Sequence, residues 1–329
     1  MAPSLEATSP ITTSTTSGNS QPLPEDKQFR VLEYSDEEHA GNPADLIIGE
    51  HGYKFRILDN RPMPPYVTPE RYKQSRRLKM RPTDICYSSY PKSGSTWLSY
   101  ILVLLTDNKG SSLRDSYHWI ENNWLYPRSD EYLNDAREPR IFASHMPYHM
   151  AVGGDPAQSP GRYIYIARNP MDVCVSYYYF ESRKSWAGNY TGDWDHWFHM
   201  FLDGKLQRGD WFEHVLSWWQ HRDCDNILFL TYEDMKKQPD VEIRKIAEFL
   251  GVAGSLTAER LQEILRHVSF SNMKSNEFSG LGDVKELGSA FFRKGQVGSW
   301  KEQFSVKQYE EFKRVWDERA GSSGLPFAC

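Results

Sequence analysis

Cysteine is scarce in this chain. Its four residues, Cys86, Cys174, Cys224 and Cys329, lie far apart, without the close spacing that holds a metal or builds a disulfide framework. They read as reduced thiols of an intracellular protein. Long apolar runs are missing too. The longest candidate, Trp97–Leu105, contains Ser99, stops before Asp107 and falls well short of the roughly eighteen residues a membrane span needs. A net charge of −5 leaves no broad basic footprint, which argues against nucleic acid as a partner. No basic residue precedes Lys27 and no apolar stretch follows Met1, so neither a secretory signal nor an organelle transit peptide is expected. Residues 1–25, rich in Ser, Thr and Pro, read as a disordered tail ahead of a single domain over 26–329.

What the chain does contain is aromatic residues, eleven Trp and nineteen Tyr among them, and a regular alternation of strand-like and helix-like segments. Ile85–Tyr90, Ile141–Ser144, Tyr163–Ala167 and Ile227–Tyr232 are short apolar runs of strand length. Tyr53–Leu58 reads as an edge strand, followed by a Pro-rich crossing of the surface over Arg61–Pro69. Helical patterns follow at Trp97–Leu105, from Asn169 through Phe180, at Val241–Leu250 and at Ala258–His267. Two Trp-rich helices fill Asp193–Gln220, parted near Gly209 and Asp210. Asn169 has the form of an N-cap with Pro170 at the first helical position, and Ser305 with Gln308 has capping-box spacing. Ser111–Pro139 reads as an irregular excursion with short helices, and Gly/Ser-rich Lys274–Phe292 as a mobile segment. The pattern predicts an α/β domain with a central, mostly parallel sheet flanked by helices, its ligands at the carboxyl ends of the strands.

One turn dominates the chemistry. Ile85–Tyr90 ends at Pro91, Lys92-Ser93-Gly94-Ser95-Thr96 makes a small polar turn, and a helix begins at once. Strand, glycine turn and helix start together aim backbone N–H groups and the helix dipole at an anion, while Lys92 adds a point charge. The Walker A spacing is absent, so this is a phosphate-type turn of another kind. By itself it could be an ordinary strand-to-helix connection. Three further candidates, His145, Arg168 and Tyr232, each follow a predicted strand, which places them at the same edge of the sheet.

Four separated stretches resemble the cytosolic sulfotransferase family: YPKSGSTW (Tyr90–Trp97), SHMPY (Ser144–Tyr148), YIARNPMDVCVSYYYF (Tyr165–Phe180) and FFRKGQVGSWK (Phe291–Lys301). LFLTYEDMKKQP (Leu228–Pro239) also fits the pattern. The resemblance implies transfer of a sulfuryl group from 3′-phosphoadenosine 5′-phosphosulfate (PAPS) to a hydroxyl, less readily an amine, of a small acceptor, in the cytoplasm and without a metal. It implies that Lys92, Ser93, Gly94, Ser95 and Thr96 hold the 5′-phosphosulfate. Trp97 would lie against the adenine and Tyr232 at its edge. Arg168, Ser176, Arg293, Lys294 and Gly295 would hold the 3′-phosphate, and Ser269 and Phe270 would complete the nucleotide pocket. His145 would be the general base, and Lys92 would stabilise the leaving oxygen. Tyr148, Phe180 and Trp186, with Trp119 and Trp124 as further candidates, would form an apolar aromatic acceptor pocket.

Two positions depart from the family pattern. Ala143 stands where many animal members have Lys two residues before the histidine, and Ser299 replaces the Asp of G-D-W-K. The second change suggests a looser donor loop that Ser299→Asp would tighten. Lys301, Ser305, Val306 and Glu310 follow the family's dimer segment and imply a homodimer. Two other functions remain open at this point: a dehydratase working through a transient sulfate ester, and a P-loop phosphotransferase, for which neither the Walker lysine nor a magnesium carboxylate is found.

Overall fold

The computed structural model describes residues 45–107, 113, 116–122, 129–182, 190–276 and 292–327. The tail at 1–25, the start of the domain at 26, Trp124, Trp186 and most of the Gly/Ser-rich segment lie outside the described residues.

A small antiparallel sheet comes first, built from β1 (Ile47–Ile48), β2 (Lys54–Leu58) and β3 (Arg61–Met63). Asp59 and Asn60 join β2 to β3 with φ of 53° and 59°, the two-residue hairpin turn that matches strand twist. The Tyr53–Leu58 segment is therefore paired on both sides in a sheet of its own, rather than at an edge of the main one. The Pro-rich stretch does not cross the surface either. Met63 and Val67 are fully buried and pack with Met146 and Met150, because the proline-bearing chain is drawn into a satellite core. It leads to α1 (Pro69–Arg77), capped by the Thr68 hydroxyl.

The main sheet holds β4 (Ile85–Ser88), β5 (Ile141–Ser144), β6 (Arg162–Ala167) and β7 (Ile227–Thr231), all parallel in the order β5-β4-β6-β7. Side chains alternate across a strand, and β6 shows the result. Tyr163, Tyr165 and Ala167 enter one core, Ile164 and Ile166 the other. On the second face packs α2 (Ser95–Leu105), while α3 (Asp130–Asp135) sends Leu133 into the first core. On the first face lie α4 (Pro170–Glu181), α5 (Trp194–Leu202) and α6 (Trp211–Trp219). A short α7 (Tyr232–Lys237) follows β7, then α8 (Pro239–Leu250), α9 (Ala258–His267) and α10 (Phe270–Ser275). The last, α11 (Val306–Arg319), carries the expected capping box of Ser305 and Gln308 and returns Phe312 and Trp316 to the first core. Lys274 and Ser275, read from sequence as part of a mobile segment, belong to α10. No helix among the described residues is long and apolar enough to cross a membrane.

Buried Arg140 and Asp84 pin the start of the sheet. The Arg140 Nε and Nη2 both donate to the Asp84 carboxylate, Nη1 to the Leu133 carbonyl and Nη2 also to that of Lys79. The described part of the 111–139 excursion is more ordered than its sequence suggested. His118 bridges to β5, its N–H donating to the Ile141 carbonyl at 2.7 Å while Ala143 N–H donates back at 2.8 Å. That pairing carries Trp119 and Glu121 to the end of β5.

Candidate active site

Four strands deliver Lys92, His145, Arg168 and Tyr232 to one edge of the sheet, as their positions in sequence predicted. After β4 the backbone turns sharply. Lys92 has φ of 71° and Gly94 of 103°, both in the left-handed region. Only glycine fits the second position, because a Cβ there would stand 2.9 Å from the Tyr232 ring. Gly94 caps α2, whose first N–H groups, on Ser95 and Thr96, have no intrahelical acceptor and face outward from the helix start. The Ser93 hydroxyl is fully buried without a hydrogen-bond partner. These are unspent donors around one point, which fits a phosphate or sulfate group.

Cations surround that point. Lys92 Nζ lies 4.0 Å from the centroid of the Phe180 ring. Burial pulls the Lys92 pKa down to about 7, helped by the Arg168 and Arg293 charges and opposed by Glu181. Arg168 donates from Nη1 to the Lys92 carbonyl at 3.1 Å and from Nη2 to the Gln296 carbonyl at 2.9 Å. Its guanidinium sits 4.4 Å over the Tyr232 ring, and its buried Nε has no partner. Asp172, one turn along, is 3.9 Å away. Arg168 thus bridges the turn to the RKG segment. Arg293 reaches the Ser299 hydroxyl at 3.1 Å, and Lys294 pairs with Glu302. Burial and Arg168 both lower the pKa of Arg293, the mark of cations gathered with too few anions.

The nucleotide-pocket candidates assemble in part. Trp97 meets Tyr232 edge-on at 5.7 Å. Phe270 lies against Gly295, where a Cβ would come within 2.3 Å of its ring, so glycine is required there for close approach as well as for its φ of 64°. The Ser269 hydroxyl is occupied within its own helix start, donating to the Arg266 carbonyl at 2.9 Å and capping Asn272 N–H. Ser176 lies between Asp172 and Phe180 on one stripe of α4, at helical spacing of four.

His145 is buried at the end of β5, its ring 5.0 Å from that of Trp119. Its Nδ1–H donates to the Ser89 carbonyl at 2.7 Å, which assigns the proton to Nδ1 and leaves the lone pair on Nε2. Burial, then the charge of Arg208, push its pKa well below the usual histidine value. The ring is therefore neutral at physiological pH, more firmly than the unperturbed value used in reading the sequence implied. Beneath it, Glu121 Oε1 accepts from His145 N–H at 2.8 Å and from the Ser144 hydroxyl at 2.9 Å.

Two further sequence expectations bear on this site. Tyr148, read as an acceptor-pocket residue, is held by contacts to other elements. Its hydroxyl donates to Asp155 at 2.6 Å and its ring stacks on His221 at 3.6 Å, so α6 and the Asp155 turn hold it. The second concerns Ser299. The turn at Gly298–Trp300 is fixed by another carboxylate, buried Asp172, which accepts from Gly298 N–H at 2.7 Å, the Ser299 hydroxyl at 3.1 Å and Trp300 N–H at 3.0 Å. Ser299→Asp would set two carboxylates together, so it should loosen the loop rather than tighten it. Asp172→Ala is expected to weaken binding of the desulfated donor product by about tenfold or more, since three hydrogen bonds to a charged acceptor are lost. Calorimetric titration measures this, and unchanged affinity would remove Asp172 from loop control.

Glu121, Asp172 and Arg208, which hold or act on these candidates, are not picked out by the sequence as site residues. Only the D in RNPMD offered a signal, as a helix first-turn acid. Among the described residues, the grouping of His and carboxylate side chains close enough to hold an ion is Glu50, His51 and His196, none of them a residue of this site.

The fold and the site define an α/β protein that takes a multiply charged phosphate ligand at the carboxyl edge of its sheet, beside a neutral histidine. The family model described as sulfotransferase domain matches residues 82–324. Sulfotransferase 1 family member D1 of Rattus norvegicus is 36% identical over 270 residues, covering 78% of this chain and 90% of that protein. A solved structure of mouse sulfotransferase SULT7A1 complexed with PAP has a TM-score of 0.71 at 28% identity, over 82% of this chain and 96% of that one. Retinol dehydratase in complex with androsterone and PAP shares the fold, with a TM-score of 0.69 at 23% identity over 85% and 90% of the two chains. The chain belongs to the sulfotransferase family and is a PAPS-dependent sulfotransferase.

Proposed function

We propose that the protein sulfates a hydroxyl of a small molecule, with His145 as general base and Lys92 as the cation at the leaving oxygen. The observation that carries this reading is the His145 ring: buried, neutral, its proton held on Nδ1 by Ser89, its Nε2 lone pair available. Nε2 takes the proton of the acceptor hydroxyl, while Ser89 holds the ring and Glu121 the backbone N–H of His145. The donor, when bound, supplies a sulfuryl group whose leaving phosphate gathers negative charge. Lys92, the Ser93 hydroxyl and the N–H groups at the start of α2 are the groups disposed to meet that charge, as in phosphoryl transfer. Arg168, Ser176, Arg293, Lys294 and Gly295 would hold the 3′-phosphate. Trp97, Tyr232, Ser269 and Phe270 would surround the base.

Incubating the protein with labelled PAPS and a panel of phenols, alcohols and amines tests the reading, with product mass as the readout. An added sulfate supports it, whereas loss of water without retained sulfate points to the dehydratase alternative. Strict dependence on magnesium and a phosphorylated product would point to a phosphotransferase.

We also infer a homodimer and a cytoplasmic location. Lys301, Ser305, Val306 and Glu310 are exposed on the start of α11 and the turn before it, and Val306 keeps 75% of its surface open. An apolar side chain so presented suits a small two-fold patch. Val306→Glu is expected to halve the mass seen by light scattering at micromolar concentration, and a monomeric parent protein would refute the dimer.

A further inference from the structure

We propose that Arg208 anchors the acceptor through a carboxylate, so that the site takes a hydroxylated carboxylic acid, most simply a phenolic one. This rests on the sulfuryl-transfer reading and names the substrate class of that same site.

Arg208 is only 1% exposed, yet its guanidinium is poorly spent. Nη1 reaches the Met146 sulfur at 3.7 Å and Glu121 Oε1 at 3.8 Å, too long for a hydrogen bond to that oxygen, which already serves His145 N–H and the Ser144 hydroxyl. Nη2 is buried with no partner. The Arg208 charge also acts on the nearby Tyr66 hydroxyl. Arg140 shows what a structural arginine looks like in this molecule: equally buried, with its nitrogens satisfied by a carboxylate and two carbonyls. An unpartnered buried guanidinium N–H carries a substantial desolvation cost, and a ligand oxygen removes it.

The backbone points the same way. Arg208 has φ of 74°, a left-handed conformation that a long side chain adopts at a cost, held by its N–H to the Pro62 carbonyl at 2.7 Å. Strain of this kind collects at ligand sites. The location suits the acceptor. Glu121 links Arg208 to His145, whose own carbonyl is held by His214 at 3.1 Å, and the Arg208 charge is felt at the His145 ring. Trp119 on His145 and Phe180 under Lys92 supply aromatic walls near the reacting groups. A carboxylate is favoured over a neutral carbonyl because it can occupy Nη2 and offset a charge that Glu121 meets only at long range. Burial also pushes the Glu121 carboxyl up, which eases the approach of a second one.

The test is calorimetric titration of the PAP-bound protein with ortho-, meta- and para-hydroxybenzoate and para-hydroxyphenylacetate, each against its methyl ester. At least one acid should bind about tenfold or more tightly than its ester, with Arg208→Gln removing most of that margin and Arg208→Lys keeping part of it. Equal binding of acids and esters across the series overturns the proposal. So does a loss in Arg208→Gln that is the same for acid and ester while PAP affinity is retained, since that is a structural effect. If Arg208→Gln does not fold, the acid-to-ester margin of the parent protein decides alone. An Arg208-dependent margin without sulfated product from any acceptor would leave the anchor standing and remove the sulfotransfer reading.

Discussion

Replacing His145 by glutamine is expected to lower turnover by about 10²–10⁴-fold while PAP affinity stays within a few-fold. Glutamine can still donate to the Ser89 carbonyl that His145 Nδ1 now contacts at 2.7 Å, so the change removes the base more than it disturbs the packing. The residues proposed to hold the nucleotide lie on the turn after β4, at the start of α2, from Arg168 into α4, at the starts of α7 and α10 and on the RKG segment, none of them on β5. Single-turnover rates and PAP titration separate the two effects, and near-normal turnover would falsify the base assignment. The pH dependence carries the sign of the environment. Burial and Arg208 disfavour the imidazolium, so His145 remains a base as the pH falls, and the acidic limb of the rate profile should lie well below the usual histidine range.

The second large effect is expected at Lys92. Lys92→Ala should lower both turnover and donor affinity, because in the proposed mechanism the same ammonium meets the bound donor and the charge that develops on the leaving oxygen. With a pKa of about 7 in the free protein, Lys92 is half-protonated near neutrality. A bound polyanion favours the charged form, so its pKa must rise. At pH 8, PAP binding should therefore draw in close to one proton, and at pH 6 almost none. Calorimetry in two buffers of different ionisation enthalpy counts that proton. Its absence in the parent protein, or its persistence in Lys92→Ala, would place the charge elsewhere.

Much of the architecture was legible because local pattern and tertiary role agree. Ile141–Ser144 and Ala258–His267 form as read, and the boundaries of the other main-sheet strands shift by one or two residues. The Asn169 cap also forms, accepting from Met171 N–H at 3.0 Å. The turn at Lys92–Thr96 and the Arg168 helix start were visible because a strand, a glycine and a cap fall in fixed order there. What the sequence left open depended on contacts distant in sequence. Tyr148 sits two residues after Met146 in a short aromatic-looking motif, but which way its ring faces is decided by His221 and Asp155. Glu121 lies in a stretch with no periodicity, and only the bridge from His118 to β5 brings it to His145. Arg208 looked like a loop cation beside Gly209. Its burial follows from the path of the Pro62–Val67 chain, which sequence placed on the surface.

The contact of Arg168 with both the Lys92 and Gln296 carbonyls has one more consequence. The two segments proposed to hold the donor are thereby stitched together. Preorganisation of this kind lowers the ordering entropy that binding would otherwise cost, and affinity rises without a single added contact to the ligand.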